Sequence, residues 1–216
     1  RAVLLKGGNR NGQVMQHRGD SKFVQTLDNY WFIQKNPNTC TFLKAWPMSL
    51  PDCPVPFSEH QLRDALGQFA TGVTIVTTVD AAGQPVGMTV SSFNAVSLNP
   101  PLVLWSLGRA SSLYPVFASC QHYAIHVLAL EQEALARRFA SKVEQRFAGV
   151  DWQANAQGVP IIPGAGAVFE CALRHQYDGG DHLIIVGEVL QCQHQSVAPL
   201  LYHAGQLGLR LAAPSD

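Results

Sequence analysis

Two apolar rhythms run through the chain after residue 56. In the first, Leu62, Ala65, Leu66 and Phe69 stand at i, i+3, i+4 and i+7, the stripe of an amphipathic helix. Ser58 and Gln61 ahead of it make a capping box, Phe57 and Leu62 its hydrophobic staple, and Gly72 suits the helix end. The second rhythm belongs to strands. Val73 to Val79 is β-branched throughout. A turn at residues 80–85 leads into a returning strand, Val86 to Ser92. Asn99-Pro100-Pro101 breaks the chain before another strand, Leu102 to Leu107. Ser111 or Ser112 caps a short helix through Ser119, and Tyr123 to Ala129 alternates as a strand. Glu131 to Lys142 is helical, acidic at its start and basic near its end, as the helix dipole favours. Residues 144–166 read as a long loop. Val168 to His175 and His182 to Leu190 are strands around a turn at Tyr177–Asp181, and Leu200 to Leu211 is short and mixed.

Strands dominate and arrive as hairpins, not in βαβ alternation. This predicts a mainly β protein, an antiparallel barrel with peripheral helices, rather than a doubly wound sheet. No dinucleotide fingerprint, phosphate loop or nucleophile elbow follows a strand, which disfavours the enzymes built on those motifs. Residues 1–50 lack sustained periodicity, and the proline-rich run at residues 51–56 marks a boundary. Residues 1–55 are therefore expected to be an N-terminal extension, weakly ordered or draped over a principal domain at 56–216. The chain begins at Arg1, consistent with a processed N-terminus, and Met48 offers a translation start beside the boundary.

Composition sharpens that division. The formal net charge is zero. Residues 1–50 carry seven basic and two acidic residues, and residues 51–216 carry eight and thirteen, so the two parts hold +5 and −5. Charged residues make up 14% and hydrophobic residues 47%, where about a quarter charged is typical. A disordered chain is excluded, and there is no global pull toward nucleic acid or an anionic membrane. No stretch reaches the roughly 18 to 20 apolar residues of a membrane span, and no apolar secretory core opens the chain. The five cysteines (Cys40, Cys53, Cys120, Cys171, Cys192) form no C-x-x-C pair. Cys171 and Cys192, in or beside strands, are expected to act as small buried hydrophobes, as in a cytoplasmic protein with reduced thiols.

Three blocks carry candidate chemistry. Gly87 to Asn94 ends a strand in Thr89, Ser91, Ser92 and an amide, donors and acceptors suited to a polar planar ligand against Phe93. A solvated strand end has the same composition. Leu107 to Leu113 brings Arg109 and two serines to a helix start, a place for a phosphate. Plain N-capping by Ser111 or Ser112 is the commoner role. Gly179-Gly180-Asp181-His182 sets a titratable imidazole at a strand mouth. A hairpin turn with a satisfied histidine explains the same residues. His122 and His126 share a strand face but stand too far apart to chelate readily, so no metal site is expected.

Taken together, these blocks resemble the short-chain flavin reductases, the reductase components of two-component flavin-dependent monooxygenases. The matching stretches run in family order over about three-quarters of the chain, from Phe57 to Leu211. They are Phe69–Thr77, Gly87–Phe93 with Ser97–Val103, then Phe139-Ala140 and Phe147, Phe169-Glu170-Cys171, and Gly180-Asp181-His182 with Gly187-Glu188-Val189. Residues 1–50 lie outside the resemblance. The resemblance implies an FMN-binding split β-barrel that forms a homodimer, and electron transfer from NADH or NADPH to FMN or FAD. It implies that Thr89, Val90, Ser91 and Ser92 line the flavin ring and ribityl chain. Ser106, Arg109, Ser111 and Ser112 would bind the flavin phosphate, and His182 would border the nicotinamide, with Phe147 and Tyr202 as aromatic neighbours. Reduced flavin would reach a partner monooxygenase by diffusion. The chief alternative is a flavin-binding or electron-relay protein without reductase turnover. A further alternative is a related reductase acting on ferric complexes or a corrinoid.

Overall fold

The computed structural model describes residues 30–36, 39–44, 56–143 and 145–208. Met48, the prolines from Pro51 to Pro54 and the chain after Gly208 lie outside the described residues. The chain divides into two units, Arg1–Pro56 and Phe57–Asp216. In the first, β1 (Tyr30–Asn36) and β2 (Thr39–Lys44) pair antiparallel as a hairpin. No long periodicity marks this hairpin in the sequence. Its runs are short but rich in aromatic and β-branched residues, and Asn36-Pro37-Asn38 is a turn signal.

The second unit opens with α1 (Glu59–Gly67), capped as expected by Ser58 and Gln61 in a reciprocal box. Gly72 does not end this helix. Gln68 is its C-cap, and Gly72 lies in β3 (Thr71–Gly72). The apolar stripe is not buried either: no α1 residue is, and Phe69 beyond it is 74% exposed.

Seven strands build the main sheet. They are β4 (Thr74–Val79), β5 (Pro85–Val90), β6 (Asn94–Leu98), β7 (Pro101–Gly108), β8 (His122–Val127), β11 (Ala167–Gly179) and β12 (His182–His194). Between them lie α2 (Tyr114–Ser119), α3 (Glu133–Ala140) and the short strands β9 (Gln153–Ala154) and β10 (Pro160–Ile161). β13 (Leu201–His203) and β14 (Gln206–Leu207) complete a small sheet with β3.

The main sheet runs β5-β4-β8-β11-β12-β7-β6, and every neighbouring pair is antiparallel. Its two edges, β5 and β6, are joined by only residues 91–93. Four Cα steps reach about 15 Å, whereas flat seven-stranded edges would stand about 29 Å apart. The sheet is therefore curled, and Ser91 to Phe93 cross the seam between its edges.

The curl encloses one core around Trp105, Phe117, Tyr123 and Ile125. A second core, around Ile75, Leu128, Phe139 and Leu200, lies beneath α3 and the 147–162 segment. Strands between the two cores are buried on both faces, so β8 does not show the expected alternation: Tyr123, Ala124, Ile125 and His126 are all buried. The two ring nitrogens of His126 serve the fold. Nδ1 bonds the Ile75 carbonyl at 3.1 Å and Nε2 accepts the Ile162 N–H at 3.1 Å. Cys171 is buried, and burial pushes its thiol up to about 12. Cys192, expected to be buried, is exposed. Among the described residues no helix is long and apolar enough to cross a membrane.

Candidate functional site

The seam gathers the first block of candidate residues. Thr89 and Val90 end β5, paired with Ile75 and Thr74 of β4. Val90 is buried, and the Thr89 hydroxyl donates to the Ala136 carbonyl of α3 at 2.7 Å. The strand stops there, so Ser91 and Ser92 lie in the crossing segment rather than in the expected strand. Ser92 Oγ accepts the Ser106 N–H at 2.9 Å and lies 3.3 Å from the Ser106 carbonyl as donor. One hydroxyl thus extends the β6–β7 ladder beyond the start of β6. Ser91 is exposed, and among the described residues no backbone–backbone hydrogen bond engages Ser91, Ser92 or Phe93.

The second block follows β7. Ser111 N–H bonds the Gly108 carbonyl, and Ser111 Oγ accepts the Leu113 N–H at 3.2 Å. Neither serine caps α2: Leu113 is its N-cap, with no side-chain bond. Pro115 in its first turn has no N–H that would need one. Arg109 turns away from these serines. Its guanidinium donates to Asp178 at 2.7 Å, to the Gly180 carbonyl at 3.0 Å and to the Tyr114 hydroxyl at 3.0 Å. Hydrogen bonding to Asp178 raises the Arg109 pKa and lowers that of Asp178.

Arg109 therefore holds the turn that carries the third block. Its N–H also bonds the Asp181 carbonyl at 2.9 Å, and His182 pairs with Gly108 across β12 and β7. His182 Nδ1 lies 2.7 Å from Asp181 Oδ1. A carboxylate only accepts, so Nδ1 carries the proton and Nε2 is left as an acceptor in the neutral ring. The hydrogen bond from His182 lowers the Asp181 pKa.

Ser112 and Phe147 meet elsewhere. They line a cleft of about 120 Å³ with Gly87, Leu113, Lys142 and Arg146. Phe147 stacks edge-on against Phe139 and Trp152. Tyr202 packs on the same second core. The candidates thus fall into three places: Ser92 with Ser106 at the seam, Arg109 with His182 at the β11–β12 turn, and Ser112 with Phe147 at the cleft. Lys142 and Arg146 were missed. Lys142 was expected at the basic end of a helix and Arg146 in the loop after it, and nothing in that spacing places them beside a distant serine. Among the described residues no His, Cys, Asp and Glu cluster suits a metal ion.

Known proteins are similar to this chain in sequence and in fold. The chain is 49% identical over 151 residues to the FMN reductase (NADH) SmoA of Agrobacterium fabrum, covering 70% of this chain and 86% of that protein. It is 42% identical over 146 residues to the reductase component of the flavin-dependent trigonelline monooxygenase of Acinetobacter baylyi. That match covers 68% of this chain but 47% of the relative, so the chain spans about half its length. The solved NADH:FAD oxidoreductase SgcE6 of Streptomyces globisporus, in complex with NAD and FAD fragments, superposes with a TM-score of 0.70 at 38% identity. It covers 77% of this chain and 100% of SgcE6. With the flavin reductase like domain matching residues 66–208, the chain belongs to the flavin reductase family.

Proposed function

We propose that this chain is an NAD(P)H:flavin oxidoreductase that supplies reduced FMN or FAD to a partner monooxygenase. The seam is the observation that carries this reading. The Ser91 hydroxyl and the peptide groups of Ser91, Ser92 and Phe93 are left unused by the strand ladders, beside a partly buried aromatic ring. That donor set fits a planar, polar ring system. Bound flavin supplies the electron-accepting ring and reduced nicotinamide the hydride.

What remains for the protein is placement and polarity. The Ser91 hydroxyl and the peptide N–H groups of Ser91 and Ser92 donate toward the charge that gathers on a reduced ring. His182, oriented by Asp181, borders the nicotinamide and offers Nε2 as an acceptor. Holding two rings in reacting geometry needs no general acid or base. This fits a site without a carboxylate pair or a nucleophile–base pair among the candidate residues.

In this reading the curled sheet is a split barrel, and the domain at 56–216 is catalytic, with 1–55 as an extension. The exposed Leu66, Phe69 and Leu98 support a homodimer that covers apolar surface. A steady-state matrix of NADH and NADPH against FMN, FAD and riboflavin tests the proposal. Flavin-dependent oxidation of a reduced nicotinamide is expected. Flavin binding without turnover would leave a binding protein in its place.

A further inference from the structure

We infer that Phe169, in the middle of the curled sheet, is a positioning residue for flavin: it anchors Phe93 and so fixes the seam residues that receive the ring. This role rests on the flavin reading and concerns what holds that site in shape. β11, which carries Phe169, is the central strand, three places from either edge. In a flat sheet those steps would set it about 14 Å from β5 and from β6. Yet the Phe93 ring, between those edges, has its centroid 5.4 Å from that of Phe169, the planes tilted by 37°. Both rings pack on the first core, so the contact runs across the interior of the curl. Aromatic pairs at this separation attract beyond the area they bury.

Phe93 ends a run whose members are nearly all tied down. The Thr89 hydroxyl donates to the Ala136 carbonyl. Val90 is buried, and its carbonyl accepts the Thr74 hydroxyl at 3.0 Å. Ser92 Oγ accepts the Ser106 N–H of β7. Ser91, between these ties, makes no hydrogen bond of its own among the described residues. Residues 91–93 lack ladder bonds, so their conformation depends on two anchors, the Ser92 hydroxyl on β7 and the Phe93 ring on β11. Without the second anchor, the peptide groups of Ser92 and Phe93 would sample several orientations. Flavin binding would then have to order them. Phe169 acts through Phe93 and not on the ligand, as a packed residue that supports a binding segment from behind. Its loss should therefore weaken flavin binding and spare the hydride step of the saturated enzyme.

The test pairs a flavin-fluorescence titration of the full chain with steady-state kinetics, using FMN as probe and NADH as donor. Phe169→Leu is expected to weaken FMN binding about fivefold and to raise the FMN KM alike, with kcat and the NADH KM held within about twofold. Phe169→Tyr keeps the ring and is expected to stay within about twofold of wild-type FMN affinity. In a Phe93→Leu background, Phe169→Leu is expected to add less than about twofold, because the anchor is already gone. Leu173→Ala, on the same strand and against the same core, is expected to lower the thermal midpoint and leave FMN affinity within about twofold. Thermal melts identify any variant that fails to fold, and Phe169→Met, which refills more of the space, replaces Phe169→Leu if that variant does. Wild-type FMN affinity in a folded Phe169→Leu would overturn the inference. So would full multiplication of the two losses in the double variant, which would separate Phe169 from Phe93. Equal weakening by Leu173→Ala, or by Phe169→Tyr, would make the effect one of general core packing and overturn it too. Each of these results leaves the flavin reading intact; only a wild type that binds no flavin removes both.

Discussion

Arg109 donates a hydrogen bond to Asp178 at 2.7 Å, from the end of β7 to the β11–β12 hairpin that carries His182. With its bond to the Gly180 carbonyl, this clasp fixes the turn from outside. Asp178→Asn is expected to raise the KM for NADH roughly threefold and to leave the flavin KM nearly unchanged. The pair is exposed, so added salt should shrink the difference between wild type and variant. The Asp178 pKa is depressed in the folded state. The contribution of the pair is therefore present above the ordinary carboxylate range and lost as pH falls through the folded pKa. Salt-dependent kinetics of Asp178→Asn check this, and a larger effect on flavin than on NADH would count against it.

Ser91 and Ser92 are adjacent but have different duties. Ser92 Oγ accepts the Ser106 N–H, and Ser92→Ala leaves that partly buried donor unpaired. A loss of about 1–3 kcal/mol in stability is expected, together with weaker flavin binding. Ser91 is exposed and makes no side-chain hydrogen bond among the described residues. Ser91→Ala should unfold like the wild type and change flavin affinity alone. Paired urea melts and flavin titrations separate the two. A destabilised Ser91→Ala would show that its hydroxyl serves the fold.

The elements legible in the sequence are those whose signal is local. Val73 to Val79 is β-branched and bounded by turn residues, and it forms β4 almost to the residue. The Ser58–Gln61 box is read within one turn of helix. β6 went unread because its residues are almost all exposed and its order comes from pairing with β7. The candidate residues were legible as three separate blocks, but their partners were not. Arg109 finds Asp178 across 69 positions, and Arg146 finds the Gly87 carbonyl across 59. Composition near Arg109 suggested an anion site, yet the fold spends that cation on a carboxylate. Only the curl of the sheet brings the segment after α3 to the cleft that Ser112 lines.

Gly187 on β12 faces Tyr123 on β8. A methyl group at Gly187 would stand 2.0 Å from the Tyr123 hydroxyl and 2.8 Å from Cζ. Gly187→Ala is expected to cost about 1–3 kcal/mol through overpacking. Tyr123→Phe removes the first contact and should rescue part of the loss, since the ring carbon still crowds the site. Alone, Tyr123→Phe is expected to be neutral or stabilising by up to about 1 kcal/mol. Its hydroxyl is buried without a hydrogen-bond partner among the described residues, and burial raises its pKa far above the usual phenol range. A double-mutant cycle read by thermal unfolding checks the pair. Additive effects would exclude the contact.

His126 couples stability to pH. It is fully buried between the Ile75 carbonyl and the Ile162 N–H, and burial lowers its pKa to about 4. An unfolded histidine titrates near pH 6.5. The folded state therefore binds fewer protons between these values, and stability must fall as pH drops from about 6.5 toward 4. Protonating Nε2 would also set two donors, Nε2–H and the Ile162 N–H, against each other. The full difference is of order 3 kcal/mol. Urea midpoints across this range should fall steadily for the wild type. His126→Gln, whose amide is neutral throughout, should begin less stable and lose the part of the slope due to this group. An unchanged slope in His126→Gln would assign the acid sensitivity to other residues.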